Sequence, residues 1–180
     1  MKENLKESIG LGEKVSASIV DDILKIKGPE GEVERLFNDP KINIKLEDND
    51  IIFSVDNATK REKKMLKTYI AHVKNLIKGV NEKFVYKLKI CSSHFPMNVS
   101  LSNNKFIVKN FLGEKAPRTM NVKDNVDVKI NGEIIEVSSC NKEKAGTVAS
   151  EIELLTKKTG KDVRIFQDGI YIISKGGKLI

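Results

Sequence analysis

Val126-Asp127-Val128-Lys129-Ile130-Asn131-Gly132-Glu133-Ile134-Ile135-Glu136-Val137 is the stretch that decides how this chain folds. Apolar side chains alternate at Val126, Val128 and Ile130, Asn131-Gly132 interrupts, and Ile135 and Val137 resume. A period of two puts the apolar residues on one face of an extended segment. Asn-Gly suits a type I′ turn, so the stretch predicts a β-hairpin with one face in need of cover. The next residues supply that cover. Asn141 is an N-cap residue type, and Ala145, Val148, Ala149, Ile152 and Leu155 recur at helical spacing. Gly160 is expected to end this helix, and residues 170–173 to return as a closing strand.

Reading outward, Met97, Val99 and Leu101, a turn at Asn103-Asn104, then Phe106 and Val108 predict a hairpin ahead of this one. The two are separated by an irregular stretch over residues 110–119. The same order is met in the first half. Val15, Ala17 and Ile19 turn at Asp21-Asp22 into Leu24 and Ile26, and Gly28-Pro29-Glu30-Gly31 opens an irregular stretch reaching about Pro40. Ile42, Ile44 and Leu46 turn at Asp48-Asn49-Asp50 into Ile51, Phe53 and Val55. Thr59 and Glu62 have capping-box spacing, and Leu66, Tyr69, Ile70, Val73 and Ile77 form one helical face, with Gly79 as its expected end. Tyr86, Leu88 and Ile90 read as a strand closing this unit, and residues 92–96 as a linker. The order of elements and turns implies duplication. The expected fold class is α+β, with two tandem homologous domains at residues 1–92 and 93–180. Each is an antiparallel-rich β-sheet of two hairpins plus a closing strand, with one helix packed on it.

The composition narrows the function. Of 180 residues, 32 are Lys or Arg and 25 Asp or Glu, a formal charge of +7 that favours a polyanionic partner. Cys91 and Cys140 stand far apart with no metal-ligand spacing, so no metal site is expected and both should be reduced. No apolar run reaches the roughly 18 residues of a membrane helix. Lys2, Glu3, Lys6 and Glu7 stand where a signal peptide would be apolar, so an intracellular, soluble protein is expected. Catalysis is not indicated: the two histidines, His72 and His94, neighbour no nucleophile motif, and neither Gly-rich stretch has a phosphate-loop pattern. The paired carboxylates Asp21-Asp22 and Asp48-Asp50 fall in turns, where Asp is favoured for backbone reasons. No cofactor or small-molecule substrate is implied.

Three basic features remain. Lys60, Arg61, Lys63, Lys64, Lys67, Lys74 and Lys78 crowd the first helix against the single acid Glu62, which equally suits a solvated face. Lys105, Lys109, Lys115 and Arg118 surround the second irregular loop, where a basic loop on a rigid sheet can position phosphates. Lys161, Arg164, Lys175 and Lys178 flank the last strand. With no Trp and no paired-aromatic platform, recognition is expected to rest on RNA shape and phosphates more than on unpaired bases.

The run Arg164-Ile165-Phe166-Gln167-Asp168-Gly169-Ile170-Tyr171-Ile172, followed by Lys175, resembles the C-terminal signature of the large-subunit ribosomal protein L-six family in its archaeal and eukaryotic form. His94-Phe95-Pro96-Met97, Asn110-Phe111-Leu112-Gly113-Glu114-Lys115-Ala116-Pro117-Arg118, Lys60-Arg61-Glu62-Lys63 and Ala71-His72 also read like family segments. Leu154 and Lys158 depart from the family pattern on the second helix. The resemblance implies a non-catalytic, cytoplasmic constituent of the large ribosomal subunit. Its second domain would be the main anchor to ribosomal RNA near the factor-binding region and stalk base, beside neighbouring ribosomal proteins. Carried onto this chain, the RNA-binding residues would be His94, Lys109, Asn110, Lys115, Arg118, Lys161, Arg164, Lys175 and Lys178, while Asp168-Gly169 would be a turn aiming the final strand. The alternative is a protein-interaction adaptor with solvated basic faces and an exposed sheet edge.

Overall fold

The computed structural model describes residues 3–12, 14–47, 49–162 and 164–180. It divides into two compact units, Met1–Lys83 and Phe84–Ile180.

In the first unit β1 (Glu3–Gly10) leads into a meander of β2 (Ser16–Val20), β3 (Ile23–Gly28) and β4 (Gly31–Leu36). The hairpin β5 (Asn43–Glu47) and β6 (Asp50–Ala58) and the helix α1 (Lys60–Asn81) complete it. Two antiparallel three-stranded sheets result, ordered β1-β6-β5 and β2-β3-β4. Asp21 and Asp22 both take positive φ (48° and 62°), the two-residue turn their sequence predicts. Asn49 is described in the β5–β6 turn, whereas Asp48 lies outside the described residues.

The helix α1 covers both sheets, touching β1, β3, β4 and β6. Leu66, Val73 and Val80 are wholly buried with Leu24, Ile26, Ile51, Phe53 and Val55. Thr59 and Glu62 form the predicted capping box, and Lys41 adds an ion pair to Glu62 at 2.8 Å. Hydrogen bonds from Lys41 and Thr59 hold the Glu62 carboxyl down at about 2. Gly79 does not end the helix as expected. The last turn runs on to Asn81 because Val80 is clasped from outside: its carbonyl accepts the Glu30 N–H at 3.0 Å and its side chain lies over Gly28.

The second unit repeats the plan. β7 (Phe84–Cys91) leads into the meander β8 (Asn98–Ser102), β9 (Lys105–Lys109) and β10 (Arg118–Asn121). The hairpin β11 (Asp127–Asn131) and β12 (Ile134–Ser139), the helix α2 (Lys142–Leu155), and the strands β13 (Gly169–Lys175) and β14 (Lys178–Leu179) follow. One sheet is ordered β10-β9-β8 and the other β11-β12-β7-β13-β14. Asn141 caps α2 as predicted, accepting from the Glu143 and Lys144 amides. Ala145, Val148, Ala149 and Ile152 are fully buried against Leu88, Phe106, Val108, Ile135, Val137 and Ile170.

Four expectations are corrected. The strand at Tyr86, Leu88 and Ile90 does not close the first unit: β7 lies between β12 and β13, so the units meet at 83/84 and not at 92/93. The repeat is therefore a leading strand, a meander, a hairpin and a helix, and β1 is the counterpart of β7. Alternation does not reveal β1 in the sequence, because its inward positions run Leu5, Glu7, Ile9. The carboxylate is accommodated by Lys67 of α1 at 2.5 Å. The meander strands β4 and β10 stand where the sequence predicts irregular loop, since Val33 in the one and Met120 in the other are too few to show a period. At Asn131-Gly132 only Gly132 has positive φ (61°), and Asn131 pairs with Ile134. The central residues are thus Gly132-Glu133, the Gly-first type II′ pattern, rather than the expected type I′. Finally, α2 stops at Leu155, with Thr156 as its cap, four positions before Gly160.

A Cβ at Gly28 would lie 2.8–2.9 Å from the Val80 side chain and carbonyl. Gly28→Ala is therefore expected to destabilise the first unit by about 1–3 kcal/mol through overpacking. Urea unfolding followed on α1 helicity checks this.

Candidate nucleic-acid interface

Residues 92–97 between β7 and β8, the loop 110–117 between β9 and β10, and the segment between α2 and β13 come together in the second unit. Each junction is a side-chain contact. The Asn110 amide donates to the Pro96 carbonyl at 3.0 Å, and the Phe95 ring lies beside Gly113. The His94 ring stacks on Phe166 with centroids 5.2 Å apart.

Asp168 is the hub of the first junction. Its side chain is 3% exposed and accepts from the Ser93 N–H (2.6 Å), the His94 N–H (3.1 Å) and His94 Nδ1 (2.5 Å). Burial alone would raise this carboxyl, but the His94 and Ser93 hydrogen bonds outweigh it and hold it below its ordinary value. The turn reading of Asp168-Gly169 is thus replaced by a buried carboxylate that staples the residue 92–97 segment to the start of β13.

Arg118 is the hub of the second. Its guanidinium grips Glu114 with two bonds, at 2.8 and 2.7 Å, donates to the Leu155 carbonyl at 2.7 Å, and covers the Phe111 ring at 4.4 Å. Lys158 reaches the same Glu114 at 3.1 Å. The Arg118 hydrogen bonds, joined by Lys158 and opposed by burial, bring the Glu114 carboxyl from 4.5 down to about 2. An arginine at the last helical carbonyl also offsets the negative end of the α2 dipole, which explains why the helix stops there. Between these anchors, Asn110, Leu112 and Gly113 all adopt left-handed backbone (φ 60°, 48° and 77°). For Leu112 that conformation costs of order 1–3 kcal/mol, sustained by the packing around it.

The expected binding residues therefore separate. Lys109 at the end of β9, Lys115 in the loop and Lys161 after α2 are exposed on the joined loops, with the Lys161 ammonium 4.9 Å from the Phe166 ring centroid. Arg164 is 86% exposed and paired with Asp162 at 2.8 Å. His94 and Asn110 hold the loops together, His94 keeping 38% of its side chain exposed. Arg118 faces inward, its guanidinium occupied by the fold. Lys175 and Lys178 are a registered pair on β13 and β14, and Lys175 aligns with Tyr86 while Gly169 aligns with Cys91. They sit at the other end of β13, roughly 20 Å away at strand rise. Asp168, Glu114 and Lys158 organise the site without having been singled out for it. The Glu114/Arg118 pair has a spacing of four, which in sequence signals only a helical ion pair.

Among the described residues, no three His, Cys, Asp or Glu side chains are grouped to hold a metal, and no helix is long and apolar enough to cross a membrane.

The model of the family described as Ribosomal protein L6 matches residues 11–83 and again 95–169. The chain belongs to the ribosomal protein L6 family. The two matched segments fall one within each repeat, each taking in a meander, a hairpin and a helix. Relatives named "Large ribosomal subunit protein uL6" are similar over nearly their whole length. The one from Nanoarchaeum equitans is 48% identical, covering 98% of this chain and 96% of the relative. That from Methanococcus vannielii is 43% identical over 98% and 97%, and that from Methanosarcina mazei 41% over 97% and 99%. The archaeal character of the resemblance is thereby shown. The L6 family is one of structural ribosomal proteins and not of enzymes.

Two outcomes are expected. Arg118→Ala should lower the stability of the second unit by about 2 kcal/mol, since charged hydrogen bonds are lost and Glu114 keeps only Lys158; differential scanning calorimetry measures it. Because the folded Glu114 carboxyl lies below its unfolded value, its contribution is full above 4.5 and is lost as pH falls toward about 2. Acid unfolding curves of the wild type and Glu114→Gln should therefore differ at neutral pH and converge near pH 2.

Proposed function

We propose that this protein is a structural constituent of the large ribosomal subunit, cytoplasmic within the ribosome. In this reading it binds and stabilises large-subunit ribosomal RNA near the factor-binding region and stalk base, beside neighbouring ribosomal proteins. The second unit is the main anchor. The observation that carries this is the division of labour among its cations. Arg118 and Lys158 are drawn inward to brace the loops, whereas Lys109, Lys115, Lys161, Arg164, Lys175 and Lys178 are directed to solvent. A braced loop holding exposed ammonium groups loses little conformational entropy when it meets phosphates. The names of the similar archaeal proteins support the assignment to the large subunit.

The loop anchors and the β13–β14 pair, some 20 Å apart by strand rise, would touch phosphates at two places on a folded RNA. A single contact patch would not need both ends of the strand. His94 and Asn110 act mainly by setting the loop geometry, and Arg118 acts through Glu114 and α2. The basic face of α1 has an internal use for one member, Lys67, which pairs with Glu7, and it is left out of the interface.

The test is a salt titration of the full chain binding large-subunit ribosomal RNA, with random duplex as competitor. Lys115→Ala combined with Lys161→Ala and Lys175→Ala should weaken binding and reduce the salt slope by up to about one unit per lost phosphate contact. Arg118 is kept, because its removal tests folding instead. Equal affinity for any duplex, or binding insensitive to salt, would move the assignment to the protein-adaptor alternative.

A further inference from the structure

A cavity of about 290 Å³ opens where α2 ends against the start of β13. Leu154, Phe166, Ile170 and Tyr171 give it apolar walls. Leu154 and Tyr171 are 60% and 42% exposed, although both are large and apolar in character. Part of its polar lining is engaged within the fold. The Thr156 hydroxyl accepts the Ile170 N–H at 2.9 Å and donates to the Glu153 carbonyl at 3.2 Å. The Glu153 carboxylate accepts the Ile172 N–H at 3.2 Å, and Asp168 is taken up by Ser93 and His94. Gly169 leaves room for the Tyr171 ring, whose atoms a Cβ there would meet at 3.1–3.2 Å. At the rim stand the exposed Lys157 and Lys161.

A guest for this cleft must be apolar across its faces and anionic at its outer end. An aromatic side chain of another protein meets the first condition but brings no negative charge to the lysines. A nucleotide meets both, because its base has a π-face suited to aromatic walls and its phosphate lies a sugar's length away.

We propose that the cleft holds one unstacked nucleobase of the bound RNA, seated against Leu154 and Tyr171 at the edge of the Phe166 ring, with its phosphate toward Lys157 and Lys161. This inference rests on the RNA-binding reading above and adds a base contact to recognition that the sequence assigns to shape and phosphates. The apolar walls of Leu154 and Tyr171 meet the faces of the base.

The test uses the full chain and amide NMR with three probes: adenosine 5′-monophosphate, ribose 5-phosphate and inorganic phosphate. The nucleotide should shift the amides of Leu154, Lys157, Ile170 and Tyr171, and the other two should leave Ile170 and Tyr171 in place. Leu154→Gln and Tyr171→Ala preserve net charge and lie on different elements. Each should abolish the nucleotide response and weaken binding to large-subunit ribosomal RNA roughly ten-fold, with the salt slope unchanged. Unshifted β9 and β11 amides, on strands that do not pair with β13, confirm that each variant is folded, and the exposed Leu154 carries the test should Tyr171→Ala unfold. If all three probes act alike, or both variants bind RNA as the wild type does, the cleft proposal is overturned while RNA binding stands. A nucleotide response without preference for large-subunit RNA would keep the cleft as a nucleotide site and remove the ribosomal-RNA reading.

Discussion

The Arg118 guanidinium is the contact on which the architecture of the second unit turns. It brings together the first strand residue of β10, the Glu114 carboxylate in the preceding loop, the Phe111 ring and the last carbonyl of α2. A cation three-quarters covered is stable only if its donors are met, and here a bidentate carboxylate and a helix terminus meet them. In return, a loop with left-handed backbone at Asn110, Leu112 and Gly113 is held in a single shape. Lys115, one residue from Glu114, inherits that fixed position.

Asp168 does the same for the other side of the site. Its three hydrogen bonds tie the residue 92–97 segment to the start of β13, and the His94 ring it orients stacks on Phe166. Two buried or half-buried carboxylates thus support a surface whose outward charge is positive. Neutralising the fold's own cations internally, at Arg118 and Lys158, separates the charges that brace from those left for a polyanion. Binding through braced groups gives up less side-chain and loop freedom than binding through mobile ones.

The two repeats explain why the site belongs to one of them. Both have a leading strand, a meander, a hairpin and a helix, with the helix covering the apolar faces. In the first unit the leading strand β1 pairs with β6 and ends its sheet. In the second, β7 pairs with β12 on one side and receives β13 and β14 on the other. That addition brings in the segment between α2 and β13, with Lys161, Phe166 and Asp168, and the Lys175–Lys178 pair. The first unit has a comparable loop clasp, in which Glu30 and Gly28 meet Val80, but it closes on a helix end.

By itself the sequence determined the fold class, the duplication, both helix starts and four of the hairpins, because alternation, helical spacing and capping residues act over a few neighbouring positions. Thr59 with Glu62 and Asn141 are read correctly for that reason. It also led to the L6 family and to the loops that carry the exposed lysines. Only the tertiary structure decided that β7 belongs to the second unit, since a strand with the Tyr86, Leu88, Ile90 pattern can pair with either neighbour and long-range register chooses. The helix ends depended likewise on Val80 being clasped by Glu30 and on Arg118 reaching Leu155, not on Gly79 or Gly160. The inward role of Arg118 could not be read from its loop, because an arginine's charge is visible in sequence but its partner is a matter of packing.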